Sequence, residues 1–180
     1  KLLGIYLLAR ICRDFFALNI TATALLLIIG SLTIIFAVMM ALIQHDLRKL
    51  LSFHAISQVG YMVLGFGTGT ALGVAGGIFH MLNNAIYKSG LFLVGGAVEQ
   101  KRKTFELDRL GALASCMPLT FVSGLVFALS ISGVPPFNGF ASKWLIYQGT
   151  LVGLFNTTNL WLRSVYVFSL IAAMFGSALT

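Results

Sequence analysis

The sequence predicts an all-α polytopic membrane protein, a bundle of transmembrane helices of which one is broken, and three observations carry that prediction. Of its 180 residues, 58% are hydrophobic and only 9% charged, whereas about a quarter of the residues of a soluble domain are charged. The apolar residues gather into runs close to the roughly 20 residues a helix needs to cross hydrocarbon. Most of the charges sit in short segments between those runs, and the most deeply set ones share a helical face.

Taken in order, residues 2–8 form an apolar run too short to span, ending at Arg10, Arg13 and Asp14. They are expected to be the end of a preceding transmembrane helix, residues 1–16, which puts Lys1 about 13 Å inside the membrane at helical rise. The chain opens on that lysine without an initiator Met or a signal-peptide pattern, and an internal fragment is expected. Residues 21–43 are a clean span closed by the polar segment 44–49. The next helix is expected over 50–66, with His54, Ser57 and Gln58 near its start and Gly67, Thr68, Gly69 and Thr70 turning the chain after it. Residues 73–98 form the next span and lead into the charged loop 99–109. The run 117–148 is too long for one untilted crossing and carries Gly133, Pro135, Pro136 and Gly139 in its middle. Proline removes a backbone donor and clashes with the preceding turn, so a break is expected near 133–139, followed by a linker near 149–159 and a last helix at 160–180. About five or six crossings result.

The helix at 73–98 holds the candidate site. His80, Asn84 and Lys88 are spaced i, i+4 and i+8, one face in steps of about 6 Å. Lys88 lies about 15 Å of helix from the end of the run, too deep to snorkel. An ionisable residue at that depth costs roughly 2.5–3.5 kcal/mol on insertion scales and usually faces a bundle interior or a water cavity. A stripe of them is a candidate ion path. The structural alternatives are a carbonyl-paired Lys88 and a hydrogen-bonded core His80. Haem ligation by His54 and His80 is chemically conceivable but is opposed by their different depths. Lys143, beside Trp144 and Tyr147, could be an interfacial anchor. Its place four residues after Gly139 argues for a site, because interrupted helices expose backbone groups at membrane depth.

A net charge of +7 does not imply nucleic acid here, because the basic residues form no extended patch. They set topology instead. Arg48, Lys49, Lys101, Lys103 and their neighbours Arg102 and Arg109 fall on one side, and Arg10, Arg13 and Arg163 on the other. The positive-inside rule makes the first side cytoplasmic. Cys12 and Cys116 offer neither a CxxC nor a disulfide framework, so no iron–sulfur group, other cofactor or metal is expected in this chain.

Residues 46–62 (DLRKLLSFHAISQVGYM), 80–98 (HMLNNAIYKSGLFLVGGAV) and 131–144 (ISGVPPFNGFASKW) resemble, in that order, the proton-translocating antiporter-like membrane subunits shared by respiratory complex I, membrane-bound hydrogenases and Mrp-type Na⁺/H⁺ antiporters. KLLGIYLLAR at 1–10 resembles the KxGxYxLxR helix end of the same family. The resemblance implies two inverted five-helix repeats, each with one broken helix, with residues 17–180 as the second repeat. It implies that Lys1 stands near the junction of two half-channels, that His80 and Lys88 lie on the central polar axis, and that Lys143 is the exit-side lysine; His54 and Ser57 are expected as supporting polar residues. Asn84 departs from the pattern, since many relatives carry histidine there. An amide does not shuttle a proton by titrating, so a water wire is expected at that step.

The expected function is therefore proton translocation in a redox-driven complex of NADH:quinone oxidoreductase or hydrogenase type. The expected partners are other membrane subunits, a peripheral redox module, H⁺ or Na⁺, and the lipid bilayer of a prokaryotic cell. The alternative is a subunit of a stand-alone Mrp-type Na⁺/H⁺ antiporter.

Overall fold

A computed structural model of the chain describes residues 2–12, 19–111 and 113–180. Among these, the regular structure is helical: α1 (Leu2–Arg10), α2 (Ile20–Leu42), α3 (Leu47–Gly67), α4 (Ala71–Arg102), a 3₁₀ turn (Leu107–Arg109), α5 (Leu113–Cys116), α6 (Pro118–Ser132), α7 (Asn138–Asn156) and α8 (Leu160–Ala178). One isolated antiparallel bridge joins Asp46 to Glu106.

The helices begin where polar side chains answer the unpaired amides of a first turn. Asn19 Oδ1 accepts from the Ala22 amide at 2.8 Å, and Asp46 Oδ1 accepts from Arg48 and Lys49 at 2.8 and 3.1 Å. Thr70 Oγ1 accepts from the Gly73 amide at 3.1 Å, and Asn159 Oδ1 accepts from Trp161 at 3.0 Å. Pro118 opens α6, where its missing N–H costs nothing. Gly133, at φ 81°, closes α6 in the left-handed region. After α4 leaves the apolar run it continues through Glu99 and Lys101 to Arg102, and Arg48 on α3 pairs with Glu99 at 2.7 Å.

Some boundaries differ from the sequence reading, and α4 runs past the expected end at 98 to Arg102. The helix after the break does not stop at Gln148 but runs to Asn156, so the expected linker at 149–159 shrinks to residues 157–159. Nothing in Gly149–Asn156 breaks a helix, and Gly149 and Gly153 are small because other elements press on them, Gly73 in one case and the Tyr166 ring in the other. The start of α3 moves back to Leu47, because Asp46 caps it.

The burial pattern is inverted relative to a water-soluble protein. Leu93 is 75% exposed and Phe36 67%, while His80, Lys143 and Lys88 are 0, 2 and 7% exposed. Apolar side chains outside and polar ones inside suit a lipid surround. Helices α2, α3 and α8 are each long and apolar enough to cross a membrane. At 32 residues α4 is about 48 Å long, with its apolar character diluted by the stripe it carries.

Close backbone approach sets the helix order. Helix α3 lies between α2 and α4, α8 packs on α2 and α7, and α4 lies against α7. Gly30 and Gly60 are the α2–α3 crossing: a Cβ at Gly30 would stand 2.9 Å from the Leu64 nitrogen. The α4–α7 crossing is tighter, since a Cβ at Gly149 would land on the Gly73 backbone and one at Gly76 would stand 2.8 Å from the Ile146 nitrogen. Small residues permit this approach in membrane bundles. Contacts that rise along α4 fall along α7, so the two helices are antiparallel, and the next partners in the sequence of contacts are His80 and Ser142.

Candidate functional site

Three elements build the site. From α4, the stripe points inward: His80, Asn84 and Lys88 are buried, together with Asn83 and Tyr87. From α3 come Ser57, Gln58 and Tyr61, all fully buried. The third element is the start of α7, where the break delivers Ser142 and Lys143.

The break works through its free carbonyls. Helix α6 stops at Ser132 and α7 starts at Asn138, with Val134, Pro135 and Pro136 in the turn between them. The first turn of α7 then lies against the last turn of α6, so closely that a Cβ at Gly139 would collide with the Ser130 carbonyl oxygen. The last carbonyls of α6 have no following turn to satisfy them, and a helix C-terminus attracts positive charge. Lys143 Nζ donates to Ile131 O at 2.9 Å, to Ser132 O at 3.0 Å and to Ser177 Oγ of α8 at 3.2 Å. Ser177 in turn donates to Ser132 O at 3.1 Å. All three ammonium protons thus have acceptors. The Nζ also lies 5.0 Å from the centre of the Tyr61 ring. With Lys143 buried and Trp144 half exposed, the anchor reading of Lys143 gives way to a buried cation on a helix terminus. Asn83 and Asn138 tie the same junction to α4: Asn83 Nδ2 donates to Asn138 O and Asn138 Nδ2 to Asn83 Oδ1, both at 3.0 Å, and Ser130 Oγ donates to Asn138 Oδ1.

His80 is held on both ring nitrogens. Nδ1 is 2.9 Å from Ser142 Oγ and Nε2 is 3.0 Å from Gln58 Oε1. Tyr87 OH also donates to Gln58 Oε1, at 3.3 Å. The Tyr61 ring is near both His80 and Lys143, 5.7 Å from the His80 ring and 5.0 Å from Lys143 Nζ. With both nitrogens engaged inside the bundle, His80 presents no free position to a haem iron. Among the described residues no group of three His, Cys, Asp or Glu could hold a metal ion.

The remaining expected residues are placed as follows. Lys88 is buried two turns beyond His80, with Nζ 5.7 Å from the Phe92 ring. Asn84 lies between them, and its Oδ1 accepts no hydrogen bond among the described residues. That is the step at which the sequence lacks a titrating group. His54 is half buried on α3 and receives a 3.0 Å hydrogen bond at its carbonyl from Ser57. Lys1 and Arg13 lie outside the described residues. The contacts of Gln58, Tyr61, Tyr87, Ser142 and Ser177 were not anticipated. A polar Ser57–Gln58 pair inside an apolar run and a serine next to Lys143 were the available signals.

An apolar exterior around a buried file of lysine, histidine and amide groups defines an integral membrane helix bundle with a polar interior. The chain belongs to the family described as NADH:quinone oxidoreductase/Mrp antiporter, transmembrane, whose pattern matches residues 1–178. It is 48% identical over 138 residues, 77% of this chain and 28% of the relative, to an uncharacterized protein of Methanocaldococcus jannaschii. To Na(+)/H(+) antiporter subunit A1 of Staphylococcus epidermidis it is 34% identical over 98% of this chain and 24% of the relative. Its fold matches a chain in the structure of the membrane-bound sulfane sulfur reductase, an archaeal respiratory membrane complex, with a TM-score of 0.78 and 32% identity over 96% of this chain and 35% of that one. The chain thus spans about a quarter of the length of the curated relatives it matches.

Proposed function

We propose that this segment conducts protons across a prokaryotic cell membrane as part of a subunit of a redox-driven complex, with His80, Lys88 and Lys143 as exchange sites. The observation that carries the proposal is the continuous burial of these groups from the middle of α4 to the break between α6 and α7. Burial disfavours a charged ammonium, so a lysine held there can respond to a change of charge on its neighbour. A charge arriving at one end of the file repels protons along it toward Lys143. Water serves the gap at Asn84, whose buried Oδ1 is open to a donor. By resemblance the segment is the end of a first inverted repeat followed by a second, with Lys1 near the junction of two half-channels. Moving one charge against 100 mV requires about 2.3 kcal/mol. A peripheral redox module supplies it in this reading, which the likeness to a respiratory complex supports. Likeness to an Na(+)/H(+) antiporter subunit along nearly the whole chain supports the second reading, in which the same file is driven by a cation gradient.

The test is Lys88→Arg in the full subunit, assembled with its partners in proteoliposomes. Arginine keeps the positive charge and does not deprotonate in the working pH range. Transport should fall about as far as with Lys88→Ala while insertion persists. Near-normal transport by Lys88→Arg would return Lys88 to a structural role. Energising the vesicles by an electron donor or by a Na⁺ gradient separates the two readings.

Orientation has its own check. A single cysteine replacing Thr104, in the loop after α4, should resist membrane-impermeant thiol reagents in intact cells and react once the membrane is opened. Ready labelling of intact cells would invert the proposed topology.

A further inference from the structure

We infer that Gln58 fixes the tautomer of His80 so that the ring gains and loses its proton only at Nδ1, on the Ser142 side, with the Ser142 hydroxyl turning to satisfy both states. The argument starts from the neighbours of Gln58. Ser57 Oγ donates its only proton to the His54 carbonyl at 3.0 Å, so it offers Gln58 lone pairs and requires an N–H, which Gln58 Nε2 supplies at 3.4 Å. That contact turns the amide so that Oε1 faces Tyr87 and His80, where it accepts from Tyr87 OH at 3.3 Å; the phenol, which can donate or accept, adapts to the amide rather than fixing it. An amide oxygen has no proton to give, so His80 Nε2 must carry one.

At the other nitrogen the partner is a hydroxyl that has two places to point. Ser142 Oγ lies 2.9 Å from His80 Nδ1 and 3.0 Å from the Gly139 carbonyl oxygen. When His80 is neutral, Nδ1 is bare and accepts the Ser142 hydroxyl proton. When a proton arrives, a new Nδ1–H bond forms and donates to Ser142 Oγ, whose own hydrogen rotates to Gly139 O. Loss of the proton reverses the rotation. No heavy atom moves, and in both states each polar group of the set is paired, which matters because an unpaired buried group is costly. Gly139 O belongs to the first turn of α7, next to Lys143, so the exchangeable proton of His80 faces the broken helix and away from Gln58. Tyr61 and Lys143 are the other polar groups facing this ring from α3 and α7.

The functional consequence rests on the conduction reading of His80, whereas the tautomer does not, and the experiment separates them. The assembled complex is prepared with this subunit alone carrying ¹⁵N-histidine, and solid-state NMR distinguishes protonated from bare ring nitrogens. The His80 signals are assigned by difference from the spectrum of His80→Gln. Nε2 should be protonated at every pH, with the change confined to Nδ1. Gln58→Met, which keeps the length and removes the acceptor, should bring the second neutral tautomer into the spectrum. It should also lower transport by roughly tenfold or more, since a histidine in the wrong tautomer exchanges its proton at the wrong atom. Gln58→Glu restores an acceptor and should restore the Nε2–H form. A neutral wild-type ring protonated on Nδ1, or an unchanged spectrum in Gln58→Met, overturns the inference whatever transport does. Unaltered transport in His80→Gln would instead remove His80 from the conduction path and leave the tautomer assignment standing.

Discussion

Replacing Lys143 with methionine is expected to stop transport and loosen the junction of α6, α7 and α8. Methionine keeps most of the buried volume but donates nothing, so Ile131 O loses its ammonium partner and Ser132 O keeps only Ser177. An unsatisfied buried carbonyl costs about 1–3 kcal/mol, and the destabilisation should fall in that range. Transport should fall by far more than stability predicts, at least about a hundredfold, because the exchanging group itself is gone. Thermal unfolding of the subunit in lipid and proton uptake by proteoliposomes measure the two effects separately. Ser177→Ala calibrates them: it removes one of three acceptors and leaves both carbonyls on Lys143, so it should cost about 1 kcal/mol and retain transport. If Lys143→Met transports normally once its stability is restored by lower temperature, Lys143 is a clamp and the exit of the path lies elsewhere.

The second large effect is expected from Gly149→Leu. The first carbon of the new side chain falls on the Gly73 backbone, where nothing can yield short of moving a helix. Overpacking commonly costs about 1–3 kcal/mol where side chains can shift, and here the cost should exceed that. Parting α4 from α7 also parts His80 from Ser142, so any protein that still inserts should transport poorly. The control is Gly96→Leu on α4, the helix that Gly149 meets, where an added Cβ meets nothing within 4 Å. Expression, assembly and transport should all be close to wild type there. Equal tolerance at both positions would show that the α4–α7 crossing is not as tight as described.

Much of the molecule was legible from composition and spacing. The inward stripe of α4 follows from an i, i+4, i+8 pattern, because residues on one helix share a face through backbone geometry alone. The end of α6 follows from Gly133 and the two prolines, since these act on the backbone locally. The far end of α7 lies at Asn156 rather than Gln148, and the glycines at 149 and 153 that keep the helix packed gave no signal of their own. The partners of His80 were not legible either, because Gln58 is 22 residues away and Ser142 is 62.

By itself the sequence determined that the chain is a bundle of membrane helices, which stretches are helical, where one of them breaks, and that His80 and Lys88 share one helix face. Each of these depends on interactions within a few residues or on transfer of a segment from water to lipid, and both are properties of a single stretch of chain. Only the tertiary structure decided that Lys143 sits on the open carbonyls of α6, that His80 is held between Gln58 and Ser142, and that the Tyr61 ring lies close to both His80 and Lys143. Those contacts depend on which faces meet. In lipid, apolar faces meet lipid about as favourably as each other, so the choice falls to the places where glycine lets two backbones touch.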